Sequence, residues 1–205
     1  MIDRAGLPFI GGALAPGLVL LVAGRPGWAL ACVAAAALFA FFFRDPERVP
    51  PPGDHLVLAP ADGRVLVAGD ADPAVSPPGR WLQVSIFLSP LDVHVNRIPV
   101  SGRIVRVRHE RGPSLPAYRP EAARNARTEV WIEHGPQTIV IRQVVGILAR
   151  RIVCRVREGD RVEAGQRFGV MKFGSRMDVF LPPGARLRVR RGQHVRAGET
   201  VLAEL

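Results

Sequence analysis

Gly174 and Ser175 are the two residues that could carry out chemistry on the chain itself. They lie between two apolar, strand-like runs. Glycine has no Cβ, so the peptide at Gly174 can adopt a strained conformation that leaves its carbonyl open to attack. The Ser175 hydroxyl would then be a nucleophile directed at its own backbone. Most Gly-Ser pairs are simple turns, so only the surrounding sequence can decide between the two interpretations.

His94 and Asp92 form a second pair of interest, in the sequence DVH at 92–94. Residues two apart on a strand share a face, so the Asp92 carboxylate could set the tautomer of the His94 ring. A lone histidine is more often structural, however, and Asp62 with Gly63 is equally typical of a turn between two strands. The remaining histidines are isolated and fit no metal-ligand spacing, so we expect no metal site. They are His55, His109, His134 and His194.

Three motifs, in order along the chain, resemble those of the short bacterial and archaeal phosphatidylserine decarboxylases: PADG at 60–63, DVHVNRIP at 92–99 and FGSRMDVFLP at 173–182. The resemblance implies a self-processing enzyme of phospholipid biosynthesis that converts phosphatidylserine to phosphatidylethanolamine and carbon dioxide. It implies that the Ser175 hydroxyl attacks the Gly174 carbonyl, giving a large chain 1–174 and a small chain 175–205 that stay associated. Residue 175 would become a covalent pyruvoyl group. This group binds the substrate amine as an imine and so stabilises the carbanion left by decarboxylation.

The resemblance also implies catalytic roles for His94 as a base and for Asp62 as the acid group that orients it. Longer members of the family have a second histidine three residues beyond the first, where this chain has Arg97. Either His94 serves both self-cleavage and later proton transfer, or the groups that transfer the proton during cleavage differ in this chain. Arg127, in the sequence NART at 125–128, falls where the family has an asparagine and arginine motif and could bind the substrate phosphate. A solvated loop arginine is the alternative.

Seven strand-like runs must position these residues in a turn-rich chain. They lie at 56–59, 64–68, 81–88, 102–109, 128–134, 137–145 and 152–156. Residues 112–127 have no apolar period, so we predict a long loop there, of the kind that often has a functional role.

An internal repeat with the pattern VRxGxxVxAG occurs at 156–165 and again at 189–198. Two such units can pair about a pseudo-twofold axis into a flattened barrel. We therefore predict a mainly β fold whose barrel-sandwich core resembles the hammerhead of biotinyl and lipoyl carrier domains, preceded by an apolar helical hairpin. This arrangement would put Gly174 and Ser175 at a hairpin between the two repeats.

Residues 1–44 are predicted to form the apolar hairpin, because nearly uncharged runs at 6–24 and 27–43 flank the turn sequence GRPG. Arg4, Arg44 and Arg48 outnumber Arg25 in the turn, so the positive-inside rule places both ends in the cytoplasm. We expect localisation to the inner cell membrane, with a stiff proline-rich linker at 45–53 and a catalytic domain at 54–205 on the cytoplasmic side. A re-entrant hairpin and a buried hairpin of a soluble protein stay open as alternatives.

The 205-residue chain carries a formal net charge of +10, mostly from arginine, which favours anionic partners. Composition does not choose between nucleic acid and acidic lipid head groups, whereas the resemblance implies a phospholipid substrate and a membrane, and no nucleic acid. Cys32 and Cys154 have no spacing typical of a disulfide framework or a metal site, so we expect two buried thiols.

A carrier domain is the main alternative function. Met171, Lys172 and Phe173 resemble the Met-Lys-Met turn in which biotin carriers are modified, with Lys172 as the attachment point. That alternative gives no role to Asp62, His94 or the hairpin. A non-catalytic, membrane-anchored basic binding protein would explain the charge but not the three motifs. We therefore favour the decarboxylase.

Overall fold

The computed structural model describes residues 1–147, 152–172 and 174–205. The chain divides into two compact units, Met1–Glu47 and Arg48–Leu205. The first is helical and the second is built from β-strands, so the predicted fold class is confirmed. The second unit begins at Arg48, inside the proline-rich segment that the sequence predicts as a linker.

The N-terminal unit is a hairpin of two helices, α1 (Leu7–Val22) and α2 (Pro26–Phe42). A short 3₁₀ helix, Arg4–Gly6, precedes α1, and Asp3 Oδ1 caps it by accepting a hydrogen bond of 2.8 Å from Ala5 N. The segment Arg4–Val22 is long and apolar enough to cross a membrane, and only 11 % of it is buried. Because many of its large apolar side chains are exposed, the unit does not resemble a hairpin buried in a soluble core.

The described part of the β unit contains fourteen strands, and every pair among them is antiparallel. The strands are β1 (Leu56–Leu58), β2 (Gly63–Asp70), β3 (Leu82–Leu88), β4 (Val95–Arg97), β5 (Gly102–Glu110), β6 (Arg127–His134), β7 (Gln137–Val144), β8 (Ile152–Cys154), β9 (Arg161–Val162), β10 (Arg167–Met171), β11 (Ser175–Leu181), β12 (Arg186–Leu187), β13 (His194–Val195) and β14 (Val201–Glu204). All seven predicted runs are strands. The predicted loop is confirmed and contains one 3₁₀ helix, Pro120–Arg124.

A curled eight-stranded sheet, in the order β13-β2-β3-β11-β7-β6-β5-β9, forms the body of the unit. Two three-stranded sheets accompany it, β1-β14-β12 and β4-β10-β8. Alternate residues of the large sheet, such as Met177 and Val179 in β11 and Ile139 and Ile141 in β7, enter one buried core.

The large sheet consists of two similar halves. Read inward from its two edges, the strands of one half, β13-β2-β3-β11, correspond one by one to those of the other, β9-β5-β6-β7. Gly192 N donates a hydrogen bond of 2.8 Å to Val65 O, and Gly159 N donates one of 2.7 Å to Ile104 O. The β2–β3 and β5–β6 pairs also share an irregularity at matching places, after Val65 and after Ile104. A pseudo-twofold axis therefore runs between β11 and β7.

The repeat is longer in the structure than in the sequence pattern. Each VRxGxxVxAG unit pairs with a strand opened by a related sequence, PADGRV at 60–65 or PVSGRI at 99–104. Gly63 and Gly102 are equivalent, and a Cβ on either would overlap a carbonyl oxygen of the neighbouring strand, that of Phe87 or Glu133 respectively. Only glycine allows this close approach.

We expect Gly102→Ala to lower the free energy of unfolding by about 1–3 kcal/mol, as overpacking typically does. Gly184→Ala is the matched control, since a Cβ there meets no atom within 4 Å. Denaturant titration of the detergent-solubilised protein, followed by circular dichroism, measures both. Equal stability of the two variants would contradict the close approach.

Candidate active site

Ser175 is the first residue of β11, the strand that pairs with β3 on one side and β7 on the other. It lies opposite Leu88 and shares the core face with Met177, because residues two apart on a strand point the same way. Its side chain is fully buried, and its hydroxyl has no hydrogen-bond partner among the described residues. A buried hydroxyl without a partner is costly, so among the described residues the Ser175 hydroxyl contributes no hydrogen bond that stabilises the fold.

Gly174 has a left-handed backbone conformation, with φ of +72°. Its carbonyl oxygen lies against Gly146, where a Cβ would overlap it. The sequence reasoning missed Gly146. The sequence does contain a signal for Gly146, because a glycine that directly follows an apolar strand can mark a place where another backbone approaches closely.

The predicted hairpin at Gly174 and Ser175 is wrong. Strand β10 pairs with β4 and β8, whereas β11 lies in the large sheet, so the chain crosses from one sheet to another between them. The Gly-Ser peptide therefore lies at a sheet crossover.

His94 lies beside this crossover. Its carbonyl oxygen accepts a hydrogen bond of 3.2 Å from Met171 N at the end of β10, four positions before Ser175. The side chain is buried, and Nδ1 lies 2.9 Å from the carbonyl oxygen of Asp92. A carbonyl can only accept, so Nδ1 carries a proton in this contact, and Nε2 is the basic nitrogen whenever the ring is neutral.

Asp92 contacts His94 through its main chain and not through the predicted carboxylate. Its carboxylate closes a turn by accepting a hydrogen bond of 2.8 Å from Ser89 N, and it lies 3.6 Å from His194 Nε2. The reason is local, since Pro90 favours this turn and keeps residue 92 outside β4.

Asp62 is buried just before β2, with both carboxylate oxygens engaged. Oδ1 accepts a hydrogen bond of 2.8 Å from Ala197 N, and Oδ2 lies 2.9 Å from Nη2 of Arg48. Arg48 Nη1 in turn donates to Glu199 at 2.9 Å. Burial raises the pKa of Asp62 above its usual range, against the opposing effects of the Ala197 N–H and the Arg48 charge; nearby Asp92 raises it further.

The pseudo-twofold axis gives Asp62 a structural counterpart in Ser101. Ser101 Oγ accepts a hydrogen bond of 3.0 Å from Ala164 N, just as Asp62 accepts one from Ala197 N in the other repeat. Each side chain therefore joins the start of its strand to the Ala-Gly pair that ends the repeat paired with that strand. The sequence reasoning missed Ser101 and Arg48, although the related sequences PADGRV and PVSGRI carried the signal for the first.

Arg97 and Asn125 are also engaged in holding the fold. Arg97 Nη1 donates a hydrogen bond of 3.0 Å to Gly165 O, in the first repeat. Asn125 accepts a hydrogen bond of 3.0 Å from Leu115 N and donates hydrogen bonds of 2.8 Å to Leu115 O and Val145 O. The motif asparagine therefore fixes the long loop against the end of β7.

Two cavities flank the crossover. One of 370 Å³ includes Gly174 in its wall and is otherwise lined by Phe87, Pro90, Pro116, Ala117, Tyr118 and Ile147. The other, of 440 Å³, is lined in part by Lys172, Arg127 and His109. Arg127 already forms an ion pair with Glu110 at this second cavity.

Comparison with known proteins decides the family. The family model described as phosphatidylserine decarboxylase matches residues 35–203. The chain belongs to this family. A phosphatidylserine decarboxylase proenzyme of Salinibacter ruber is 47 % identical over 178 residues, covering 84 % of this chain and 78 % of the relative. Proenzymes of the same name from Nocardia farcinica and Gluconobacter oxydans are 46 % and 45 % identical, each over 98 % of this chain and over 86 % and 93 % of their own lengths.

The phosphatidylserine decarboxylase family is one of enzymes, as the motifs predicted. The alternatives of a carrier modified at Lys172 and of a basic binding protein gain no support from these comparisons.

We expect Asp62→Ala to destabilise the protein more than Ser101→Ala does. The first leaves the buried Ala197 N–H without its acceptor and takes one of two carboxylates from Arg48, which keeps only Glu199 among its described partners. Breaking a fully buried ion pair costs about 3–5 kcal/mol, which is the upper limit for this partly buried pair. The second removes one exposed hydrogen bond, which contributes about 0.5–1.5 kcal/mol. Denaturant titration of both variants checks the order, and a reversed order would contradict the buried pairing.

A pH series on Asp62→Asn tests the ionisation. A carboxylate with a raised pKa binds more protons in the folded state, so its contribution to stability falls as pH rises through the folded pKa. The unfolding free energy of the wild type minus that of Asp62→Asn should therefore decline as pH rises above about 4, the value for an unperturbed aspartate. A rising difference would mean that Arg48 outweighs burial.

Proposed function

We propose that this chain is the precursor of a pyruvoyl-dependent phosphatidylserine decarboxylase that cleaves itself between Gly174 and Ser175. The observation that carries the proposal is the buried Ser175 hydroxyl, which has no partner among the described residues and directly follows a glycine with left-handed geometry. Membership in a family whose relatives are named proenzymes supports it.

The residues at the crossover supply the groups for the proposed self-cleavage. Ser175 Oγ attacks the Gly174 carbonyl carbon, and the amide nitrogen leaves, which converts the peptide into an ester. Removal of the Ser175 Cα proton breaks the bond between Cβ and Oγ. Gly174 leaves as the carboxylate of the large chain, and a dehydroalanine remains on the small chain. Addition of water to that residue releases ammonia and leaves a pyruvoyl group.

His94 is the proposed base. The Asp92 carbonyl holds the proton on Nδ1, so Nε2 can accept the Ser175 proton. Asp62 is proposed to support the site near Asp92 by fixing the second repeat through Ala197 and by pairing with Arg48. Arg97 keeps its charge at any working pH and cannot replace a histidine in proton transfer.

Residue 175 fits the pyruvoyl group, because it begins a buried strand and follows Gly174, which lines the 370 Å³ cavity. A pyruvoyl group there supplies an electron sink for the bond between Cα and the carboxylate when the substrate amine is joined to it. His94 is proposed to return a proton to Cα after carbon dioxide leaves, so that phosphatidylserine becomes phosphatidylethanolamine. We assign no phosphate contact to Arg127, because Glu110 already neutralises it.

The proposed partners are a membrane and the two products of cleavage. The apolar segment Arg4–Val22 supports attachment to a membrane, and the charges that flank the hairpin favour the inner membrane with the β unit in the cytoplasm. The small chain would stay bound, because β11 pairs with β3 and β7 and β14 pairs with β1.

The wild type should give a large and a small fragment on a denaturing gel, whereas Ser175→Ala should run as one uncut band. Intact mass should show the small chain with its N-terminal amine replaced by a carbonyl. Ser101→Ala is the matched control and should be cut, because its hydroxyl only ties the first repeat. An uncut wild type that still decarboxylates would overturn the pyruvoyl mechanism.

We expect His94→Ala to accumulate precursor, and the fraction that matures to turn over about a hundred- to ten-thousand-fold more slowly, as loss of a general acid typically causes. Cleavage is measured by gel, and turnover is counted per carbonyl group in the same sample. Normal cleavage with slow turnover would limit His94 to decarboxylation. Normal values for both would leave it a structural residue.

A further inference from the structure

Four exposed apolar side chains line the 370 Å³ cavity at Gly174 or adjoin its lining residues in the sequence. Tyr118 and Ile147 line the cavity and are each 57 % exposed. Leu91 and Leu115 follow and precede the lining residues Pro90 and Pro116, and they are 72 % and 37 % exposed. We call these four side chains, Leu91, Leu115, Tyr118 and Ile147, the apolar rim. Large apolar side chains exposed beside an apolar cavity are typical of a site that binds a protein or a membrane.

The backbone beneath the rim is suited to apolar surroundings. The Asn125 side chain pairs both the N–H and the carbonyl of Leu115, at 3.0 and 2.8 Å. Pro90 and Pro116 have no N–H to satisfy. Apolar surroundings exclude backbone groups that lack a hydrogen-bond partner, and Leu115 has none left unpaired. Leu115 and the two prolines can therefore leave water at little cost from their backbone N–H groups.

The charges beside the rim are mostly positive, so they favour binding to an anionic lipid surface. The segment 111–124 carries three exposed arginines, at 111, 119 and 124, and one carboxylate, Glu121. Arg119 directly follows Tyr118, whose ring packs edge-on against Phe87 at the cavity wall. A tyrosine with one apolar and one polar end is typical of the boundary between head groups and acyl chains, and cations beside it bind acidic head groups.

We propose that the apolar rim inserts into the surface of an anionic bilayer, so that the cavity at Gly174 opens directly toward lipid. This inference rests on the proposed function for its lipid substrate. The β unit then has its own membrane contact, in addition to the helical hairpin. Insertion of about 5–10 Å is the depth reached by interfacial apolar groups.

Site-specific fluorescence on the full chain tests the insertion. In a background with Cys32→Ser and Cys154→Ser, Leu115→Cys is labelled with an environment-sensitive nitrobenzoxadiazole dye. The protein is placed in vesicles of phosphatidylcholine and phosphatidylglycerol, with and without bromine on the acyl chains. Val105→Cys is the matched control, since Val105 is 43 % exposed in β5 and outside the rim. If the background fails to fold, Cys154 is retained, because burial raises its pKa and slows its alkylation.

The label at 115 should shift to shorter wavelength and lose intensity in brominated lipid, and the label at 105 should do neither. Replacing phosphatidylglycerol with phosphatidylcholine should weaken the quenching at 115. Equal behaviour of the two labels would overturn the proposal. Self-quenching between labelled copies without quenching by bromine would assign the rim to a second copy of the chain and would also overturn it. Neither readout needs cleavage, so a failed processing test would contradict the proposed function alone.

Discussion

Strand β11 is paired by hydrogen bonds along both of its edges, and the rest of the candidate site depends on this constraint. Pairing with β3 and β7 fixes which residues point inward, so Ser175 must share the core face with Met177. The strand cannot extend backwards, because Gly174 turns left-handed and its carbonyl fits against Gly146. The Gly174–Ser175 peptide is thus held between a paired strand and a close backbone approach.

The sequence predicted the strands well but not their partners. Strand-like composition identified all seven runs, several of which also alternate, because both signals are local properties of the sequence. The hairpin at Gly174 was wrong because it assumed that strands adjacent in sequence pair in space, whereas β10 and β11 belong to different sheets. The carboxylate of Asp92 was assigned to His94 from a strand pattern, but the turn with Ser89 takes precedence.

Several motif residues also hold distant parts of the chain together, and a motif alone does not reveal this because it shows only one of the two partners. Asp62 meets Ala197 across 135 positions of sequence, and Arg97 meets Gly165 across 68. The related sequences PADGRV and PVSGRI hint that Asp62 and Ser101 are equivalent, and the pairing of each with its own repeat in the sheet establishes it. The two halves of the sheet are related by symmetry, whereas the candidate site is not. Asp62 and Ser101 make equivalent hydrogen bonds to the two repeats, and among the described bonds Asp62 also pairs with Arg48.

The C-terminal segment is interleaved with the rest of the β unit. From Ser175 onward it supplies β11 to the middle of the large sheet, β13 to its edge, and β14 between β1 and β12. Withdrawal of this segment would require two sheets to open together. If the backbone were cut at 174, the two pieces could separate only by unfolding, so the rate of separation would be set by the barrier to global unfolding. Dilution alone would not separate them within the lifetime of the folded state.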